Sequence, residues 1–146
     1  MDIVLDFDGT VVTHDFPEIG GEIGAVPVLR KLVAHGHRLI LFTMRSDREE
    51  TGGVKDGTIV DAKGMFLTDA IKWFEQNKIP LYGIQKNPTQ HTWTTSPKAY
   101  GQMIIDDAAL GCLLIYGMHL RPYAEWQKID FSLTEMQLFN TALNQQ

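Results

Sequence analysis

Short apolar runs alternate with stretches of helical periodicity along this chain, and no other feature of the sequence restricts its fold as much. Runs of strand length occur at 3–5, 38–42, 80–84 and 102–105, with a short fifth candidate at 113–116. Helical spacing of apolar side chains predicts helices at 26–34, with Gly36 as a stop, and at 65–76. This alternation is typical of a parallel sheet covered on both faces. The sequence therefore predicts an α/β chain with a three-layer, Rossmann-like fold.

Two further segments have local signals of their own. Ser132 and Glu135 have the spacing of a capping box, which predicts a C-terminal helix from Ser132 to about Leu143. Asp56-Gly57 lies between candidate strand residues in 54–60 and indicates a β-hairpin.

The composition favours one cytoplasmic domain over residues 1–146. The length and a hydrophobic fraction of 44% are ordinary for a domain with its own core. Cys112 is the single cysteine, which excludes a disulfide within the chain and favours a reducing compartment. The short apolar start does not have the form of a signal peptide, and no apolar run is long enough to cross a membrane. A net charge of −5 without a basic stripe argues against nucleic acid as a partner.

Polar residues follow the predicted strands at the point where each strand ends. Asp6 and Asp8 follow the first strand, Thr43 follows the second, and Asp106-Asp107 follows the fourth. Ligands of open α/β sheets bind beyond the carboxyl ends of the strands. One edge of the sheet is therefore expected to gather these residues, although about a hundred positions separate them.

Two acidic pairs at one sheet edge predict a site for a hard cation such as Mg²⁺. The carboxylates of Asp6 and Asp8 repel each other unless a cation relieves the repulsion, and Gly9 permits the sharp turn that follows. Asp106 and Asp107 form a second pair that is costly unless it is solvated or bound to a metal. The alternative to a metal site is an exposed acidic turn for Asp6 and Asp8, and a helix N-terminus for Asp106 and Asp107.

Thr43 and Lys98 are candidates for contacts with a phosphate. A hydroxyl at a strand end can donate to a phosphoryl oxygen, and an ammonium group can neutralise it. Taken singly, Thr43 is equally well explained as a turn residue and Lys98 as a solvated lysine. Only their order in the chain, together with the acidic pairs, favours a phosphate site.

In that order, the signals resemble the haloacid dehalogenase superfamily of phosphotransferases. The matching pieces are DFDGT at 6–10, Thr43 after a strand, Lys98, and IDD at 105–107, which together cover residues 1 to about 112. The resemblance implies that Asp6 is the nucleophile that forms an aspartyl-phosphate and that Asp8 is the general acid and base. It implies that Thr43 and Lys98 hold the phosphoryl group.

The resemblance also implies a magnesium site and a phosphorylated substrate. Its ligands would be the Asp6 carboxylate, the Asp8 backbone carbonyl and an acid of the last pair, with Asp107 favoured as the direct ligand and Asp106 as its neighbour. The expected substrate is a small phosphorylated metabolite. Residues proposed to contact it are Gly9, Thr10, His14, Met44 and Arg45.

The chain resembles a member of this superfamily without a full cap domain. The gaps 10–43 and 43–98 are filled by ordinary elements, apart from a short flap at 13–20 and the excursion 47–63. We expect the hairpin in that excursion to act as a small lid, with a surface loop of no function as the alternative. An exposed sheet edge and an open site leave a homodimer conceivable.

Other functions stay open at this point. A phosphatase acting on nucleotides or on nucleic-acid ends has the same site. A non-catalytic phosphate-binding or signalling module is a second alternative. The order of residues argues against a receiver domain, whose phospho-accepting aspartate comes in mid-chain before its threonine and lysine, whereas the second acidic pair here follows Lys98. A degenerate relative without activity is the third.

Overall fold

The computed structural model describes residues 1–48, 54–55, 58–59, 64–118 and 121–140. In chain order, the elements in those ranges are β1 Asp2–Leu5, α1 Ala25–Ala34, β2 Arg38–Leu41, β3 Asp47–Arg48, β4 Val54–Lys55, β5 Thr58–Ile59, β6 Gly64–Met65, α2 Phe66–Gln76, β7 Gly83–Ile84, a 3-10 turn Gln90–Thr92, β8 Met103–Ile105, β9 Leu114–Ile115, β10 Tyr123–Ala124 and α3 Trp126–Glu135. Among these helices, none has the length and apolar character needed to cross a membrane.

A four-stranded parallel sheet in the order β7-β2-β1-β8 forms the centre of the protein. Leu5 of β1 pairs with Leu41 of β2 on one side and with Ile105 of β8 on the other. Because β1 is flanked on both sides and covered on both faces, the side chains of Ile3 and Leu5 are fully buried, which explains the unbroken apolar run. The sheet confirms the predicted parallel α/β architecture, and its strands lie at the four positions predicted from the apolar runs.

The helices cover one face of this sheet. Ile3 and Leu5 belong to the main apolar core, which also contains buried residues of α1, α2 and α3. Phe7 extends the core past the end of β1, with its ring centroid 5.6 Å from that of Trp73 and 5.9 Å from that of Phe74. α2 is thereby packed beneath the turn that follows β1, where the candidate site begins.

The opposite face is covered by the irregular segment 85–102, which connects β7 to β8. Val4 alternates to this face, where the backbone of Gly101 lies against it, and the Lys86 oxygen and the Pro88 ring lie over Gly83 of β7. The segment is organised by the buried Gln90, whose Oε1 accepts hydrogen bonds from the backbone N–H groups of residues 87 and 100 at 2.9 and 3.0 Å. The predicted third layer is therefore present, but side-chain hydrogen bonds rather than helices form it, because this polar segment contains no apolar stripe.

In the last third of the chain, the predicted short strand at 113–116 is confirmed as β9, which pairs antiparallel with β10 and does not join the parallel sheet, whereas the prediction for the C-terminal helix is wrong. The C-terminal helix is α3, which begins at Trp126, and Ser132 lies inside it rather than capping it. Trp126 fixes this earlier start, since its buried indole Nε1–H donates to the backbone oxygen of Thr10 at 2.6 Å. Tertiary anchoring thus overrides the local capping signal.

The predicted hairpin in the excursion 47–63 is confirmed at its strands. β4 and β5 pair antiparallel, with Val54 opposite Ile59 and Lys55 opposite Thr58. The predicted turn residues, Asp56 and Gly57, lie outside the described residues.

Candidate active site

The candidate site lies at the carboxyl edge of the parallel sheet, where β1 and β8 end side by side. Asp6 follows β1, and its backbone N–H donates to the oxygen of Ile105 at 3.0 Å, which continues the pairing of the two strands by one step. Asp106 and Asp107 then follow β8 directly. Because adjacent parallel strands end at the same edge, residues a hundred positions apart in sequence become neighbours here, as predicted.

Three carboxylates converge at this edge. One carboxylate oxygen from each of Asp6, Asp106 and Asp107 lies within 4.8 Å of the others. Carboxylate oxygens at such spacing suit Mg²⁺, which prefers oxygen ligands and accepts few of them from the protein. The donor set therefore fits the cation that the sequence predicted, and it includes both Asp106 and Asp107.

Thr10 joins the two acidic segments. Its Oγ1 lies 3.0 Å from Oδ2 of Asp6 and 3.2 Å from Oδ1 of Asp107, and it accepts a hydrogen bond from the Asp107 N–H at 3.0 Å. The side chain is fully buried. Thr10 was predicted to contact substrate. In the structure its hydroxyl instead links the carboxylates of Asp6 and Asp107, which already surround it.

Gly9 makes the approach of these groups possible. Its φ of +80° favours glycine, and a Cβ there would overlap the His14 imidazole and come within 2.6 Å of Oδ2 of Asp107. His14, predicted as a substrate contact, instead places Nε2 2.9 Å from that oxygen of Asp107. The imidazole therefore lies against the acidic cluster and partly offsets its charge whenever it is protonated.

Asp6 is the electrostatically perturbed member of the cluster. The pKa of its carboxyl is raised from 3.8 to about 7, mainly by burial and in smaller part by the nearby carboxylates of Asp106 and Asp107, while hydrogen bonds from Phe7 and Thr10 act in the opposite direction. A bound cation would favour the ionised form of such a carboxyl. The ionisation of Asp6 and the binding of a cation at this cluster would therefore favour each other.

Asp8 and Arg45 form a buried ion pair beside the cluster. Nε and Nη2 of Arg45 each donate to one Asp8 oxygen at 2.7 Å, and the Arg45 side chain is 1% exposed. Two further hydrogen bonds run from Arg45 to the backbone oxygens of Pro17 and Glu18 in the flap at 13–20. Arg45 was predicted to contact the substrate, but the hydrogen bonds to Asp8 and to these two backbone oxygens engage its donors within the protein.

Thr43 lies where it was predicted, at the wall of the same cavity. The side chain of Gln85, which follows β7, accepts from the Thr43 N–H at 3.0 Å and donates to the Thr43 oxygen at 2.7 Å. Met44, predicted as a substrate contact, lines the same cavity with its side chain 98% exposed. Gln85 was missed in the sequence, although its position directly after a predicted strand could have identified it.

Lys98 does not reach the site. Its backbone oxygen accepts from Gln90, and the neighbouring Tyr100 oxygen accepts from Asn87, whose amide also donates to Asp2 at the amino end of β1. Lys98 thus lies at the opposite edge of the sheet, and the prediction that it binds the phosphoryl group is wrong. The physical reason is that residues preceding a parallel strand approach its amino end, whereas only those following a strand reach the site.

A cavity of about 490 Å³ opens over the acidic cluster, a size that suits a small ligand. Its wall contains residues that were predicted from the sequence and three that no sequence motif distinguished, Phe16, Ala108 and Arg121. The lining residues are Asp6, Asp8, His14, Phe16, Thr43, Met44, Arg45, Asp106, Asp107, Ala108 and Arg121.

The parallel sheet and the acidic cavity at its carboxyl edge define an α/β protein with a Rossmann-like fold and a candidate cation site. The chain is similar to a solved structure described as a conserved protein from Bacteroides thetaiotaomicron, with 30% sequence identity, a TM-score of 0.67, and coverage of 98% of this chain and 97% of that one. Identity at this level over nearly the full length shows that the chain belongs to the same family as that conserved protein. Neither the protein-family models nor the curated proteins yield a match.

Proposed function

We propose that this protein is a magnesium-dependent phosphomonoester hydrolase of the haloacid dehalogenase type, acting on a small phosphorylated metabolite. The observation that carries the proposal is the convergence of Asp6, Asp106 and Asp107 around a space that a divalent cation fits. The motif DFDGT, whose first residue belongs to this cluster, adds support from the sequence. Three carboxylates this close repel one another unless a cation or a proton relieves the repulsion.

Asp6 is the nucleophile in this proposal. It lies in the cavity wall, follows β1 directly, and is held by Thr10, so its carboxylate has a fixed direction. Attack on phosphorus forms the Asp6 acyl phosphate and releases the leaving group, and hydrolysis of that intermediate regenerates the carboxylate and frees inorganic phosphate. Mg²⁺, held by the three carboxylates and the backbone oxygen of Asp8, would neutralise charge on the phosphoryl oxygens.

Asp8 supplies the proton in this scheme. It lines the cavity beside Asp6 with its side chain 19% exposed, so it is accessible to a leaving-group oxygen. After the leaving group departs with the proton, the Asp8 carboxylate takes a proton from the water that attacks the acyl phosphate. Asp8 is thereby protonated again, and the cycle closes.

Lys86 is the lysine best placed to replace Lys98 in this proposal. It follows β7 by two residues and is exposed, and the preceding Gln85 contacts the backbone of Thr43. Among the described lysines, Lys86 is the one that comes directly after a strand of the parallel sheet, although it does not line the cavity and the next residue, Asn87, contacts Asp2 at the amino end of β1. An ammonium group at this edge could neutralise a transferring phosphoryl group together with the cation.

A direct test is hydrolysis of a generic aryl phosphate with and without Mg²⁺. We expect magnesium-dependent release of phosphate by the wild type and none by Asp6→Asn. Asp69→Asn, the same chemical change on the exposed side of α2, is the matched control and should retain full activity. Equal activity of the two variants, or activity that resists chelation of Mg²⁺, would contradict the proposal. Silence towards a broad panel of phosphates, with retained binding of phosphate, would favour a binding module.

A further inference from the structure

Arg121 is the basic residue of the cavity wall whose charge has no partner within the protein. Of the other two basic residues, Arg45 is held by Asp8 and by flap carbonyls, and Nε2 of His14 lies 2.9 Å from a carboxylate oxygen of Asp107. Arg121 lines the same cavity but forms no hydrogen bond or ion pair with any residue in the described ranges. The residue is exposed, so the N–H groups of its guanidinium are available to a ligand.

The chain that carries Arg121 is anchored to the turn that follows β1. β10 begins two residues after Arg121, and within it the backbone N–H of Ala124 donates to the oxygen of Gly9 at 2.8 Å. The indole of Trp126 donates to the oxygen of Thr10 at 2.6 Å. Ala124 and Trp126 are both buried, so water does not compete for these two hydrogen bonds. The backbone near Arg121 is thereby tied to the same turn that carries the proposed nucleophile.

The charges of the cavity wall are separated by depth. The four aspartates of the wall are half-buried, whereas its exposed residues are Phe16, Met44, Ala108 and Arg121. Arg121 therefore supplies the charge at the rim, and that charge is positive above an acidic floor. The volume of about 490 Å³ leaves room beyond a single phosphoryl group. A substrate whose phosphate lies against Asp6 extends outward, and its far end comes within reach of a long arginine side chain.

From this arrangement, and resting on the proposed function, we propose that Arg121 selects substrates with a second anionic group at the end remote from the hydrolysed phosphate. That group is a carboxylate or a further phosphate, since a guanidinium binds the paired oxygens of either with two parallel hydrogen bonds. A neutral far end would leave Arg121 without a partner and would contact the apolar side chains of the rim. The assignment narrows the proposed substrate from any small phosphate ester to an acidic one.

The test compares substrates that differ in the charge of their far end. ω-Carboxyalkyl phosphates of increasing chain length are paired with ω-carbamoylalkyl phosphates, in which a neutral amide of nearly the same size replaces the carboxylate. Alkane bisphosphates, paired with alkyl monophosphates, form a second arm that distinguishes a further phosphate from a carboxylate. The measured quantity is kcat/KM in the presence of Mg²⁺. At the chain length that spans the cavity, we expect the wild type to favour the anionic member of a pair at least about fivefold.

Variants of Arg121 test whether this residue causes the preference. Arg121→Gln should remove the preference, and Arg121→Glu should reverse it in favour of the neutral member. Arg121→Lys keeps the charge but cannot form two parallel hydrogen bonds, so it should retain only part of the preference. Arg30→Gln, the same change on an exposed arginine of α1 outside the cavity wall, is the matched control and should behave as the wild type. Higher ionic strength should weaken the preference of the wild type.

Three results would overturn the inference. They are equal hydrolysis of both members by the wild type at every chain length, a preference that survives in Arg121→Gln, and equal losses on both members in that variant. The last result would mean that Arg121 contacts the hydrolysed phosphate or supports the fold. A wild type that hydrolyses no member of the series refutes the proposed hydrolase instead. Calorimetry with the matching phosphonates, which cannot be hydrolysed, then decides the role of Arg121 from the ratio of the two Kd values.

Discussion

Raising the pH should destabilise the metal-free protein through Asp6. The pKa of this carboxyl is raised from 3.8 to about 7, first by burial and then by Asp106 and Asp107. The folded protein therefore binds the Asp6 proton more tightly than the unfolded chain does. The contribution of Asp6 to stability is fully present below the unfolded pKa near 4, and it is lost as the pH rises through about 7.

The size of this effect follows from the separation of the two pKa values. About three pH units correspond to about 4 kcal/mol, of which about 3 kcal/mol should be lost between about pH 5 and about pH 8. Asp6→Asn has no proton to lose and keeps an oxygen that can accept from Thr10. The free energy of unfolding of the variant, relative to the wild type, should therefore rise by about 3 kcal/mol across the same interval.

Urea unfolding in the presence of a chelator, followed at several pH values, measures this difference. Asp69→Asn should follow the wild-type pH dependence, because its carboxylate is exposed on α2. At high pH, Mg²⁺ at a hundred times its dissociation constant should restore about 2.7 kcal/mol to the wild type and markedly less to Asp6→Asn. Parallel pH curves for the wild type and Asp6→Asn would refute the account of a buried, mutually repelling acidic cluster.

Three further outcomes follow from the site. In kinetic assays with an aryl phosphate, Lys86→Ala should lower kcat/KM at least about tenfold, because the proposed phosphoryl site loses an ammonium group. Lys98→Ala, at the opposite edge of the sheet, should leave kcat/KM unchanged. A larger loss for Lys98→Ala than for Lys86→Ala would contradict the placement of the two lysines. Gly9→Ala should abolish magnesium binding in calorimetry, since its Cβ would overlap His14, and normal binding would refute the crowding argument. Deletion of 53–61 should raise KM for the physiological substrate but spare a small aryl phosphate if the hairpin is a lid, and equal effects on both would count against a lid.

The sequence was sufficient to predict the parts of the fold that depend on local pattern. The apolar runs identified the four strands of the parallel sheet, and the rule that parallel strands end at one edge brought Asp6 together with Asp106 and Asp107. These predictions succeeded because each rests on periodicity or on topology, which a single sequence contains.

Other features depend on contacts between distant segments, for which no local pattern in the sequence provides a signal. Lys98 was chosen for its order in the chain, but its segment crosses the face of the sheet and reaches the amino edge, held there by Gln90. From the sequence alone, Arg45 could equally have been exposed. It is buried because Asp8 and the flap carbonyls accept hydrogen bonds from its guanidinium. Ser132 has a genuine capping pattern, yet the buried Trp126 begins the helix two turns earlier.

Chemical trapping of the acyl phosphate tests the central claim most directly. Asp8→Asn is mixed with Mg²⁺ and an activated aryl phosphate, whose leaving group needs no proton, so that the intermediate forms but hydrolyses slowly. Borohydride reduces an acyl phosphate to an alcohol, and peptide mass spectrometry then locates the product. The account predicts homoserine at position 6, dependent on Mg²⁺ and absent when Asp6 is also replaced by asparagine. Phosphate release without a reduced residue at position 6, or reduction at another aspartate, would contradict it.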